Sequence, residues 1–152
     1  HLIPWDLSLG VGENVEGGAI YRTAKEGPGD MLYGPYMRFP EGAYTVRYTI
    51  SSPGGPSCSR PVVGIDVLSY PKKLAQKYIN GNEINRDPKK FSLSFYNKDQ
   101  WEKLEFRVTP NGKADILAGD IDVFCNVRES LKRNYLTIMR SMRKSGISIN
   151  PP

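Results

Sequence analysis

Residues 31–50 constrain the fold most, because two apolar-rich segments flank the turn sequence Pro40-Glu41-Gly42. Proline presets φ and glycine accepts positive φ, so this tripeptide is typical of a tight turn. After the turn, one set of alternate residues is apolar, namely Tyr44, Val46, Tyr48 and Ile50. A period of two predicts a β-strand with one buried and one exposed face. We therefore expect Tyr48 to point into a core and Arg47 to point away from it.

Similar short segments recur along the chain, separated by turns rich in Gly, Pro and Asn. The predicted strands are residues 17–24, 31–39, 43–51, 62–69, 74–79, 91–96, 101–109 and 114–124. With 152 residues, 15 of them Gly and 12 Pro, the chain is long enough for one core and is punctuated at short intervals. The pattern predicts an all-β fold over residues 1–125, an antiparallel β-sandwich of the jelly-roll type.

The pattern changes at Asn126, where apolar residues begin to recur every three or four positions. They are Val127, Leu131, Tyr135, Ile138 and Met142. This spacing predicts a C-terminal amphipathic α-helix within residues 126–152 that ends before Gly146. We interpret the helix as packed on the sandwich or as a connector to another domain. A basic helix that binds a membrane surface or a partner is the alternative, and it has less support because the segment has no Trp or Phe anchor.

The net charge of +5 comes from the C-terminal segment. Six of the 21 Lys and Arg residues and one of the 16 Asp and Glu residues follow Cys125, which leaves fifteen of each before it. A neutral body lacks the basic stripe of a nucleic-acid-binding domain, so we expect no nucleic-acid partner. No signal peptide and no apolar run near ~18 residues is present, and a cytoplasmic location is favoured. Cys58 and Cys125 are expected to be reduced thiols, although pairing stays open.

Enzymatic motifs are nearly absent. The only histidine is His1, so catalytic triads that require a histidine are not available in the body of the chain. Asp120 and Asp122, with Glu13, could supply oxygen ligands to calcium, but aspartates at strand ends are more often turn or surface residues. We therefore expect no metal, no cofactor and no enzyme, although catalysis by carboxylates or tyrosines stays open.

Outward-facing polar residues of the strands are the candidate binding residues. Arg, Asp and Glu offer planar, bidentate groups that suit pairs of sugar hydroxyls, and Tyr or Trp offers a flat stacking surface. The predicted carbohydrate-binding residues, expected on one shared face, are Tyr36, Arg38, Arg47, Asp66, Trp101, Glu105 and Arg107. Tyr36 and Arg38, two residues apart, should share one face of their strand. The alternative is a solvated face on which charges form cross-strand pairs.

Four segments carry a family resemblance. They are Tyr33-Gly34-Pro35-Tyr36, Pro40-Glu41-Gly42-Ala43-Tyr44-Thr45-Val46, Gly64-Ile65-Asp66-Val67 and Leu104-Glu105-Phe106-Arg107-Val108. Over about residues 17–124 the chain resembles jelly-roll carbohydrate-binding-module-like domains, of the kind attached to bacterial glycosyltransferases and other polysaccharide enzymes. The resemblance implies a non-catalytic module that holds a polysaccharide or oligosaccharide near a partner enzyme domain. The second hypothesis is a structural or assembly domain of a larger glycosyltransferase or related enzyme, with no sugar binding of its own.

Overall fold

Two antiparallel β-sheets and one helix make up the computed structural model, which describes residues 8–10, 12–15, 19–56 and 58–144. The strands are numbered along the chain. The six-stranded sheet contains β1 (Ser8–Leu9), β4 (Leu32–Tyr33), β5 (Pro35–Arg38), β7 (Pro61–Ser69), β8 (Lys72–Asn80) and β10 (Lys103–Pro110). The five-stranded sheet contains β2 (Glu13–Asn14), β3 (Ile20–Arg22), β6 (Gly42–Ser51), β9 (Lys89–Asn97) and β11 (Ile116–Cys125). The helix α1 spans Val127–Lys144.

Several strands that are neighbours in a sheet are distant in the sequence. The six-stranded sheet runs β1-β4-β10-β7-β8, with β5 also paired to β10, and the five-stranded sheet runs β2-β3-β11-β6-β9. Some strands that follow one another in the chain, such as β6 and β7, belong to different sheets, whereas β7 and β8 form a hairpin within one sheet. The all-β antiparallel sandwich with a C-terminal helix predicted from the sequence is confirmed.

The core lies between the inner faces of the two sheets. In β6, Tyr44, Val46, Tyr48 and Ile50 are buried and Arg47 is exposed, so the predicted alternation of this strand is confirmed. The same pattern holds in β10, where Leu104, Phe106 and Val108 are buried. Phe106 packs against the ring of Phe39 at a centroid distance of 5.6 Å.

The strand predicted over residues 31–39 is wrong in one respect, because it is interrupted. It divides at Gly34 (φ 108°) into β4 and β5, and Tyr36 has a φ of 59°. The pairing of β5 with β10 also shifts, since Leu104 lies opposite Met37 whereas Glu105 lies opposite Pro35. Tyr36 is thus an extra residue in a bulge, which re-aims a side chain that simple alternation would not place.

The helix α1 is present as predicted, but its apolar stripe stays exposed. Val127, Leu131, Tyr135 and Ile138 are each at least half exposed. The helix contacts the sandwich through polar groups: the Ser130 hydroxyl accepts a hydrogen bond from the Ala43 amide at 2.8 Å. The side chain of Met142 and the predicted end before Gly146 lie outside the described residues. Within the described ranges, α1 included, no helix has the length and apolar character that a membrane span requires.

Candidate functional site

A groove of about 340 Å³ lies on the outer face of the six-stranded sheet, over β7, β8 and β10. Residues opposite one another on neighbouring strands share a face, and the register arranges them in rows. One row is Thr109, Gly64 and Tyr78, and the next is Arg107, Asp66 and Gln76. Because Gly64 has no side chain, the first row dips at the central strand, with walls on both sides.

Tyr78 forms one wall of the groove and presents its ring to solvent. The residue is 60% exposed, and a Cβ added at Gly64 would lie 3.5 Å from its ring. The ring therefore leans over Gly64 and offers a flat apolar surface beside the charged row. Pro28, Pro61 and Pro110 add further apolar surface to the lining.

An ion-pair network occupies the second row. The Arg107 guanidinium donates two hydrogen bonds of 2.8 Å to the Asp66 carboxylate, whose side chain is only 6% exposed. Lys73 Nζ lies 3.2 Å from the same carboxylate. Arg107 also lies 3.5 Å from the carboxylate of Asp30, which accepts a hydrogen bond from the Thr109 hydroxyl at 2.6 Å. Two positive and two negative groups thus balance in the groove.

These contacts fix the orientation of the Arg107 and Asp66 side chains. The hydrogen bonds that the Arg107 guanidinium donates to the Asp66 carboxylate raise the pKa of Arg107 above its ordinary value. Bidentate pairing restricts both planar groups to one orientation. From below, the Tyr48 hydroxyl of β6 donates a 2.6 Å hydrogen bond to the backbone carbonyl oxygen of Asp66. This bond crosses the core and ties the floor of the groove to the other sheet.

The charged row continues across β10 toward β5. The Tyr36 hydroxyl donates a 3.2 Å hydrogen bond to Glu105, and Glu105 is two residues from Arg107 on the same face. Partial desolvation, followed by the charge of Glu105, raises the pKa of Tyr36. The structure therefore brings together four of the predicted residues, which we call the polar strip: Tyr36, Glu105, Arg107 and Asp66.

Arg38 and Trp101 contact one another near the end of this strip. The Arg38 Nε atom donates a 3.0 Å hydrogen bond to the Trp101 carbonyl oxygen, and its guanidinium lies 6.0 Å from the indole centroid. Arg38 lies opposite Lys103 in the register, which places it beside the first residue of β10. Tyr36, two residues earlier, is the extra residue of the bulge, so the two-residue spacing alone does not determine whether it shares a face with Arg38.

Arg47 does not share this face, so the prediction of a single face is wrong for this residue. It belongs to β6 of the five-stranded sheet, where it lies opposite Asp122 and Ser92, and its guanidinium stacks over Phe124 at 4.6 Å. Alternation along a strand indicates inward or outward only. It cannot tell on which of two sheets an outward residue lies.

The site also contains residues that the sequence interpretation missed. Tyr78, Gln76 and Lys73 come from β8, where the alternation of Gln76 and Tyr78 was a usable signal. Asp30 comes from a loop, and no local pattern marks it. Among the described residues, no group of three or more His, Cys, Asp or Glu side chains is arranged to hold a metal ion, and Asp122 pairs with Lys90 at 2.8 Å.

Comparisons with known proteins establish the fold. No family model matches the sequence, and no curated protein matches it. A solved structure described as "CBM4 structure and function" is similar with a TM-score of 0.50 and 14% identity, over 74% of each chain. The chain thus has the jelly-roll fold of carbohydrate-binding modules, and an identity this low shows the fold alone.

Two further solved structures have TM-scores below 0.5. One is TmCBM61 in complex with beta-1,4-galactotriose, with a TM-score of 0.48 and 12% identity over 74% of this chain and 75% of that one. The other is the Stig cyclase Fisc from Fischerella sp. TAU, with a TM-score of 0.49 and 16% identity. The match covers 69% of this chain and 62% of that one.

Proposed function

We propose that the groove binds a carbohydrate and that the chain is a non-catalytic carbohydrate-binding module, which holds a polysaccharide or oligosaccharide near a partner enzyme domain. The observation that carries the proposal is the exposed ring of Tyr78 beside the fixed Asp66–Arg107 pair, in an open groove. A sugar ring has an apolar face that packs on an aromatic ring and hydroxyls that hydrogen-bond to planar charged groups.

The charge of the groove supports a neutral ligand. Asp30 and Asp66 balance Arg107 and Lys73, so the groove has no net charge to attract an ion. A polyhydroxylated ligand both donates and accepts hydrogen bonds. It can therefore hydrogen-bond to the outer edges of the carboxylate and the guanidinium without disrupting their pairing. The buried carboxylate of Asp66 is already paired, which supports a binding role over general acid or base catalysis.

The test is calorimetric titration with a panel of neutral oligosaccharides and polysaccharides. Tyr78→Ala should weaken binding by about tenfold or more, because stacking on an aromatic ring is lost. Arg47→Ala is the matched control, since it removes an exposed side chain from the opposite sheet, and it should leave affinity unchanged. No saturable binding at millimolar ligand to the folded protein would refute the proposal.

A second candidate is assembly with a neighbouring catalytic domain through α1. The exposed apolar stripe of that helix favours it, because more than half of the surface of Val127, Leu131 and Ile138 is accessible. Sedimentation with a candidate catalytic domain tests it. Leu131→Glu should abolish co-sedimentation and leave oligosaccharide binding unchanged, and an unaffected complex would refute this role of the helix.

A further inference from the structure

A second cavity lies between the end of β9 and helix α1, away from the groove. It has a volume of about 600 Å³, and we call it the helix cleft. Its lining includes Glu41, Tyr96, Lys98, Arg133 and Arg140. A helix that packs directly on a sandwich normally uses its apolar stripe. Here the residues of α1 that line the cavity are three polar and one apolar, namely Arg133, Leu136, Thr137 and Arg140.

The contacts at the edge of the cleft include a cation–π contact and hydrogen bonds of Tyr96. The Arg133 guanidinium lies 4.8 Å from the Tyr96 ring centroid, and the Tyr96 hydroxyl donates to Glu41 at 3.1 Å. Within the part of the chain that the structure describes, none of Lys98, Arg133 and Arg140 forms an ion pair. Three cations against one carboxylate give the cleft a surplus of two positive charges.

Neighbouring like charges repel one another, and a concave surface focuses their field, so an anion in the cleft would be stabilised. Two arginines and a lysine suit a tetrahedral oxyanion, because guanidinium groups bind phosphate oxygens in pairs and an ammonium adds a point charge. A phosphate monoester carries a charge of about −1.5 to −2 at pH 7 and so matches the surplus. The Thr137 hydroxyl donates a 3.0 Å hydrogen bond to the Arg133 carbonyl oxygen, so the cations are the groups expected to bind the anion.

We propose that the helix cleft binds the phosphoryl group of a small ligand. The proposal is independent of carbohydrate binding in the groove, since the two cavities share no lining residue. The phosphoryl group could be inorganic phosphate or part of a phosphorylated sugar, and both present the same oxygens to the cations.

The experiment is a titration of the isotope-labelled chain with inorganic phosphate at constant ionic strength, followed by amide chemical shifts in NMR. Saturable shifts are expected at Lys98, Thr137 and Arg140, with none at Tyr78. Titrations with glucose 6-phosphate and with glucose separate the two sources. Tighter binding of the sugar phosphate than of phosphate assigns the cleft to a phosphorylated sugar, and equal affinities assign it to the phosphoryl group alone. Equal shifts with glucose would overturn the proposal.

Charge variants test whether the effect is local. Arg140→Gln should weaken phosphate binding by about tenfold, because it removes a charged hydrogen-bond donor. Lys113→Gln removes the same charge from an exposed turn and should change affinity by less than about twofold. An equal loss in both variants, or no saturable shift at all, would overturn the site. Thermal midpoints that match the unmodified chain show that the variants are folded.

Discussion

The hydrogen bond from Tyr48 to the Asp66 carbonyl tests how the sandwich supports the groove. Tyr48→Phe keeps the ring and removes only the hydroxyl, which is fully buried and donates over 2.6 Å. Because the carbonyl oxygen remains buried without this donor, we expect a loss of about 1–3 kcal/mol in the free energy of unfolding. Tyr48→Ala also removes the ring and should cost about 3–5 kcal/mol.

The same variant has a signature at alkaline pH. Burial raises the pKa of Tyr48 well above its ordinary value of 10.0. Above pH 10 the unfolded chain loses the Tyr48 proton while the folded chain keeps it. The contribution of Tyr48 to the free energy of unfolding is therefore complete below pH 10 and is lost as pH rises toward the folded-state pKa. The free energy of unfolding falls by at most about 1.4 kcal/mol per pH unit from this group, and Tyr48→Phe abolishes this part of the pH dependence.

The assay is chemical denaturation at pH 7 and at several values above pH 10, for the unmodified chain, Tyr48→Phe and Tyr48→Ala. Other tyrosines whose pKa is raised, such as Tyr44, are present in all three proteins, so differences isolate Tyr48. The reasoning is refuted if Tyr48→Phe is as stable as the unmodified chain at pH 7 and declines equally steeply at alkaline pH. That result would mean that the hydroxyl is hydrated in the folded state.

Three further predictions concern the two sheets. Arg107→Ala should destabilise by about 3 kcal/mol, since it leaves Asp66 buried without its bidentate partner, and a denaturation midpoint like that of the unmodified chain would contradict this. Arg47→Ala should change stability by less than about 0.5 kcal/mol in the same assay, and a larger loss would contradict its exposure. Gly64→Ala should weaken oligosaccharide binding, because the added methyl group raises the floor of the groove. The free energy of unfolding should stay equal or rise by up to about 1 kcal/mol, because the new Cβ lies 3.5 Å from Tyr78, an ordinary contact distance. An unfolded variant or unchanged binding would contradict this prediction.

In regular strands such as β6 and β10, local periodicity was enough to predict which residues face the core. The period of two in β6 placed Tyr48 inside and Arg47 outside, and the spacing of three and four placed a helix after Asn126. These patterns are readable because they follow from the geometry of a single element and need no knowledge of its neighbours. They also indicated the fold class, since many short alternating strands separated by turns favour a sandwich.

Only the tertiary structure decided which outward residues share one sheet face. Arg47 and Arg107 have the same local pattern, yet they lie on different sheets, because hydrogen bonding pairs β6 with β9 and β11 but β10 with β7. Pairing of β10 with the distant β7 buries Asp66 under Arg107, and the register of the β7–β8 hairpin brings Tyr78 over Gly64. Strand order depends on contacts between distant segments, so a sequence read one strand at a time determines the faces of the strands, and the assembled sheets determine the groove.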